Sequence, residues 1–176
     1  LAGRGNAKDE QQAIVVGRQA LEVAESLPPG SVDERSSARY ALGEALRRVG
    51  ELEEAEAHLS AVYEDRLERL GPAHRDTLRS LGALAGLAYE AERYDDAVDL
   101  FEKSYRGRAQ LHGEAHPITT RESANYAEAL SAAGRSDEAF AQGKVTLDRM
   151  RDALGPNDSS VLTLLSNMAV AMTNAE

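Results

Sequence analysis

The side chains with which this sequence could do chemistry fall into two sets. The first is its histidines, His58, His74, His112 and His116, which work alone because the chain has no cysteine to act as a thiolate nucleophile or soft metal ligand. His112-Gly113-Glu114-Ala115-His116 has the spacing of two ligands but not the order of a zinc protease, and Gly113 and Pro117 break the helix that would aim both rings at one ion. His74 and His116 stand 42 residues apart in loops, which marks them as joint residues of a repeat. No glycine-rich phosphate loop and no serine nucleophile elbow occurs, and the carboxylates are spread along solvated helix surfaces. The sequence therefore predicts no enzyme, no metal and no cofactor. The second set is built for recognition. Arg79 and Arg121 are also 42 apart and could offer planar, multi-donor contacts to carboxylates. Asn125 and Asn167 share that step, and amides in a row can grip the backbone of an extended peptide. The blander reading of each is a solvated side chain or one end of an intramolecular ion pair.

The elements that hold these residues repeat with the same period. Ala13, Ala55, Ala97 and Ala139 are each 42 residues apart, Gly71, Gly113 and Gly155 keep the step, and so do Ala85, Ala127 and Ala169. One unit reads as two helices. Leu78, Leu81, Leu84, Ala85 and Ala88 form the apolar stripe of a first helix, and Ala97, Phe101 and Tyr105 that of a second. Short links at Val49-Gly50-Glu51, Glu92-Arg93 and Gly134-Arg135-Ser136 force antiparallel hairpins. Between units, Gly71-Pro72, Gly113 with Pro117, and Gly155-Pro156 combine a helix stop with a restart. Asp158 is read as the best cap there, and Ser31 with Glu34 as a capping box after Pro28-Pro29-Gly30. The expected organisation is an irregular lead-in over 1–8 and one solenoid over 9–176. Within it come a helix at 9–27, hairpins at 31–70, 75–111 and 117–154, and a helix at 159–174. Tyr63, Phe101 and Tyr105 are expected in the core.

Composition agrees with stacked helices. Two Phe and no Trp leave small and aliphatic side chains to fill the core at close helix contacts. A formal net charge of −10 repels nucleic-acid backbones and anionic lipid surfaces, so neither nucleic acid nor membrane is an expected partner. No apolar run reaches the roughly 20 residues that span a bilayer, no charged-then-apolar leader opens the chain, and cysteine is absent, which together suggest a cytoplasmic protein. The chain opens on Leu1 and not on methionine, as a processed product or a piece of something longer would.

On these residues the sequence resembles tetratricopeptide repeats, in the longer 42-residue form of kinesin light chains and many bacterial multidomain proteins. Leu84-Ala85 with Ala88, Ala97, Phe101, the Leu-Gly-Pro-Ala-His joint at 70–74, and Asn125 and Asn167 carry the resemblance. HEAT and WD40 repeats fit less well. Gly17 and Gly143 depart from the pattern where Leu59 and Phe101 stand, so those helix contacts are expected to be either looser or closer. The resemblance implies an all-α, right-handed superhelical solenoid of antiparallel helix hairpins whose first helices line a concave groove. It places Tyr40, Glu44, Arg47, Arg79, Tyr89, Arg121, Asn125, Glu128 and Asn167 on that groove. The carboxylate clamp of chaperone-binding relatives is not implied, because Tyr40 and Glu44 stand where it needs Lys and Asn.

The expected function is a scaffold that recruits a protein or peptide through the concave face. An alternative is a sensory segment of a larger kinase, NTPase or transcription regulator whose ligand changes the superhelix pitch. A third is a homodimer through the last helix, which presents Val161, Leu164, Leu165, Met168 and Met172 with no second helix after it, a face that either a dimer partner or residues missing from this chain could cover.

Overall fold

The computed structural model describes residues 2–28 and 30–173, with side chains from Asp9 onward except at 153, 154, 160, 167 and 170–173. Every described element is a helix: α1 (Ala2–Ser26), α2 (Val32–Val49), α3 (Leu52–Leu70), α4 (Arg75–Glu90), α5 (Tyr94–His112), α6 (Pro117–Ala132), α7 (Ser136–Leu154) and α8 (Ser159–Thr173). They form two compact units, Leu1–Gly71 and Pro72–Glu176, where the sequence reads as one run from residue 9. Among the described residues no helix is long and apolar enough to cross a membrane. Helix α1 starts at Ala2, so the irregular lead-in over 1–8 is corrected. Gly3 and Gly5 each cost a helix about 1 kcal/mol, but no proline intervenes before Asp9 to remove a backbone donor.

In the first unit α2 packs on α1 and on α3. Its core holds Ile14, Leu21 and Ala24 of α1, Leu42 and Leu46 of α2, and Ala55, Leu59 and Val62 of α3. The departure at Gly17 gives a closer contact. A Cβ there would lie 3.3 Å from the Cα of Leu42, so the missing side chain lets α2 in. Gly43 does the same for Leu59, whose Cγ would lie 2.8 Å from an added Cβ.

The second unit stacks α4 on α5, α5 on α6, α6 on α7 and α7 on α8. Ala85 and Ala88 of α4, Ala97, Val98 and Phe101 of α5, Ala129 and Leu130 of α6, and Ala139 of α7 make one core cluster. Leu147 and Met150 of α7 with Val161 and Leu164 of α8 make another. Val161 and Leu164 are therefore buried against α7, which corrects the expectation that they lie uncovered; among the described residues of α8, Leu162 is 57 % exposed. Gly143 again marks close packing, since a Cβ would meet Met168 Cγ at 2.8 Å. Phe101 is core, but Tyr63 and Tyr105 are only half-buried. The Tyr105 ring stacks on Tyr126 at 6.4 Å, while its hydroxyl donates to Glu114 and accepts from Arg149. A phenol keeps its polar tip where partners can reach it.

Two joint types recur. Hairpin links close with Schellman-type bonds, Glu51 N to Leu46 O (3.1 Å), Arg93 N to Ala88 O (2.9 Å) and Arg135 N to Leu130 O (2.9 Å). The residue that turns left-handed is Gly50 (φ 85°), Glu92 (φ 59°) or Gly134 (φ 75°), all at one repeat position. At two of the other joints a histidine caps the following helix. Nδ1 of His74 accepts from Asp76 N, and Nδ1 of His116 from Ile118 N, each at 3.2 Å, with ψ extended at 141° and 137°. The expected capping box at Ser31 does not form. Ser31 sits at the N-cap with ψ at 50°, outside the extended range that aims a side chain at the first turn, and it makes no side-chain cap bond.

Glu92 stands where its two counterparts are glycine, and the left-handed conformation costs an L residue about 1–2 kcal/mol. Glu92→Gly is expected to raise the unfolding free energy by about 0.5–1 kcal/mol in urea denaturation. A lower midpoint would contradict this turn geometry.

Candidate functional site

On α2, Tyr40 and Glu44 line a groove of about 680 Å³ between α1 and α2, floored by Ala13, Val16, Gly17 and Ala20. Glu44 is held by Arg47 one turn on, at 3.1 Å. The Arg66 guanidinium, buried on α3, lies 5.3 Å from the centre of the Tyr40 ring, a cation–π distance. The three candidate residues of α2 are thus engaged within their own unit, and Tyr40 and Glu44 face the α1 side.

In the second unit, α4 and α6 bring other candidates together. The Tyr89 hydroxyl donates to Glu128 Oε1 at 3.2 Å, and its ring meets Tyr94 edge-on with centroids 5.5 Å apart. Burial first, then the Glu128 carboxylate, push the Tyr89 phenol up to about 12, so it remains a donor at neutral pH. Arg79 on α4 and Arg121 on α6 are exposed at equivalent positions. Asn125 and Glu128 follow Arg121 at helical spacing and are half-buried. The α4 residues in their places are Ala83 and Gly86, so the outer stripe is small on one helix and polar on the next. Asn167 belongs to α8, and its side chain lies outside the described residues.

A buried polar cluster beneath this surface was missed in the sequence. Glu122 of α6, 6 % exposed, accepts from Ser104 of α5 and lies 3.5 Å from Arg108 Nε. Arg108 also donates to the Leu78 carbonyl of α4 at 3.2 Å, so one guanidinium ties three helices. Gly82 makes room, because a Cβ there would lie 2.8 Å from Glu122 Oε1 and 3.3 Å from Arg108 Nη2. Next to it, Gln142 donates to Ser123 Oγ at 2.7 Å, and Ser123 and Thr146 share a hydrogen bond of 2.5 Å. The available signal was an arginine recurring at 66 and 108, where the next copy has the buried Met150.

Removing one member of a buried pair leaves the other charge without its counterion. Glu122→Ala is expected to lower the unfolding free energy by about 3–5 kcal/mol. Glu138→Ala, which removes an exposed pair with Arg135 at 2.8 Å, is expected to leave the denaturant midpoint nearly unchanged. Tyr89 adds a pH test. Its phenol is raised on folding, so its contribution is fully present below the unfolded value of 10.0 and is lost as pH rises through about 12. Urea midpoints across that window should fall more steeply for the natural chain than for Tyr89→Phe.

Comparison with known proteins places this geometry. Residues 34–110 match the tetratricopeptide repeat family. Among solved structures, the nearly identical TPR-like repeats assigned to a Podosopora anserina kinesin light chain superpose with a TM-score of 0.82 at 22% identity, covering 97% of this chain and 81% of that one. BtubC (BKLC) from P. vanneervenii superposes at 0.84 with 16% identity, covering 98% and 68%. At such identities the likeness is one of fold. No curated protein matches the sequence. The repeat is in general a protein–protein interaction scaffold and not a catalytic fold. Residues 34–110 thus match tetratricopeptide repeats, and the chain shares its fold along nearly its whole length with kinesin-light-chain-like solenoids.

Proposed function

We propose that this protein is a non-catalytic scaffold that binds an extended peptide or a protein segment carrying carboxylates on the face of α4 and α6 expected to be concave. The observation that carries the reading is the pair of exposed guanidinium groups, Arg79 and Arg121, at one repeat position on consecutive first helices. Planar guanidinium forks suit carboxylates, and two at a fixed step suit a chain with acidic groups at intervals. Asn125, one turn from Arg121, adds an amide donor and acceptor for a peptide backbone. Ala83 and Gly86 leave the α4 side low, which gives a backbone room to approach. Tyr89 holds the Glu128 carboxylate in place, so that edge is preorganised and repels acidic groups from all but the arginine end. On α2, Tyr40, Glu44 and Arg47 form a second patch, and Asn167 extends the asparagine row on α8.

The test is a peptide-display selection run against the natural chain and against Arg79→Ala/Arg121→Ala/Asn125→Ala, with helicity checked by circular dichroism. None of the three side chains is in the core, so the variant should fold. Charge-assisted hydrogen bonds contribute about 1.5–3 kcal/mol each, so an acidic motif should be enriched and bind at least about tenfold more weakly to the variant. Failure of any motif to emerge, or binding indifferent to the three changes, would sink the reading.

A further inference from the structure

One guanidinium holds together the two helices whose outer faces carry Arg79 and Arg121, and it takes hold beside the residues from which those arginines project. Arg108 of α5 donates to the Leu78 carbonyl of α4 at 3.2 Å, and that carbonyl belongs to the peptide group joining Leu78 to Arg79. Its Nε lies 3.5 Å from Glu122 Oε1 of α6, and Glu122 is the residue after Arg121. Ser104 Oγ sits between the same two acceptors, hydrogen-bonded to Glu122 and 3.4 Å from the Leu78 carbonyl. The two helices meet at this level. A Cβ on Gly82, about one turn beyond Arg79, would lie 2.8 Å from Glu122 Oε1.

Packing alone does not require charge in such a seat. One repeat on, the positions of Gly82, Arg108 and Glu122 hold Ala124, Met150 and Leu164, which pack together where α6, α7 and α8 meet. Met150 and Leu164 are 1 % and 2 % exposed, so the apolar version is filled at least as completely as the charged one. An apolar seat also avoids the desolvation that a buried ion pair carries. What the charged version adds is direction, because hydrogen bonds weaken steeply off their axis whereas dispersion contacts tolerate small rotations. The outer surface changes in step with the seat. Above the charged one stand Arg79 and Arg121, both exposed; beside the apolar one the next place in that row is held by the exposed Thr163.

We infer that Arg108 and Glu122 are positioning residues, which fix the separation and rotation at which Arg79 and Arg121 stand on α4 and α6. Arginine suits the task, since its planar fork reaches two acceptors in set directions where an ammonium offers only a point charge. A preset pair of guanidinium groups favours a ligand whose acidic groups match it, because the helices need no ordering on binding. The spacing itself is independent of what the arginines bind; its use in recognition rests on the carboxylate-binding role proposed for α4 and α6.

The test transplants the apolar seat. Gly82→Ala/Arg108→Met/Glu122→Leu gives α4, α5 and α6 the residues of the next copy and strands no charge. Spin labels on Arg79→Cys and Arg121→Cys read the spacing by electron paramagnetic resonance, because both sites are exposed and the chain has no other cysteine. The transplanted chain should keep the natural urea midpoint or exceed it, yet its label-to-label distance distribution should shift or widen. Arg108→Lys keeps the charge beside Glu122 without the fork and should widen the distribution as well, so it decides the matter should the triple variant not fold. With Arg79 and Arg121 in place, an acidic peptide selected on the natural chain should bind the variants about 2- to 30-fold more weakly. Label distances that stay as in the natural chain, whatever the midpoint does, would overturn the positioning role and make the cluster a device for stability. Distances that change while the peptide binds as before would overturn its part in recognition. If no acidic peptide is selected at all, the surface reading fails, and the label distances still decide whether Arg108 and Glu122 set the spacing.

Discussion

Helices this poor in aromatic residues can fill a core only by coming close together, and closeness requires that wherever one helix inserts a side chain its neighbour gives one up. That exchange runs through both units. Leu42 enters where Gly17 has no side chain, Leu59 where Gly43 has none, and Met168 where Gly143 has none. Leu78 lies directly against Gly107, too near for even a methyl group to be added without displacement. The exchange also works in polar form. The repeat positions of Leu78 and Gly107 hold Ser36 and Asp65 one copy earlier, joined by a hydrogen bond of 2.6 Å. One geometry is thus satisfied by an apolar fit in one hairpin and by a hydrogen bond in another. The compensation is pairwise, so a substitution on one side alone should cost more than the matched pair.

The same constraint admits the buried charge cluster and gives it a role in positioning. Burying Glu122 and Arg108 carries a desolvation penalty that their attraction and hydrogen bonds must offset. Gly82 leaves the space, and the Arg108 guanidinium then reaches a carboxylate on α6 and a carbonyl on α4 from its root on α5. An apolar replacement could fill the volume without fixing the azimuth of the helices, because dispersion is nearly indifferent to small rotations. Directed bonds are not. Arg108 therefore sets how α4 and α6 turn their outer stripes, and those stripes carry Arg79, Tyr89, Arg121, Asn125 and Glu128.

How much of this could be read from the sequence depends on the range of the interaction. The repeat, the helical class and the left-handed glycines at 50 and 134 follow from local spacing and backbone preference, and they were legible. The start of α1 was not, because glycine only weakens a helix whereas proline stops one. The histidine caps escaped because imidazole is an uncommon capping group, and the Ser31 box misled because its pattern does not specify ψ. Periodicity shows that α8 has an apolar face but not which neighbour covers it, so Val161 and Leu164 read as open when α7 covers them. Glu122 was illegible for the same reason. A carboxylate on a helix looks solvated until the partner on another helix is known.

The outer stripe obeys a different rule from the inner one. From α4 to α6 the buried repeat positions stay small or aliphatic at Ala85 and Ala127 and at Ala88 and Leu130, where the neighbouring helix dictates size. Over the same step the outer positions keep Arg at 79 and 121 but change from Ala83 to Asn125 and from Gly86 to Glu128. Those positions are only half-buried, so the packing constrains their size less than it does that of the buried ones. The Tyr89–Glu128 bond is where the two rules meet, because Tyr89 lies at the edge of the core and its hydroxyl reaches the outer stripe. Chemistry on the outer stripe can therefore change from one repeat to the next while the backbone carrying it stays fixed, which allows one hairpin geometry to present a different surface in each copy.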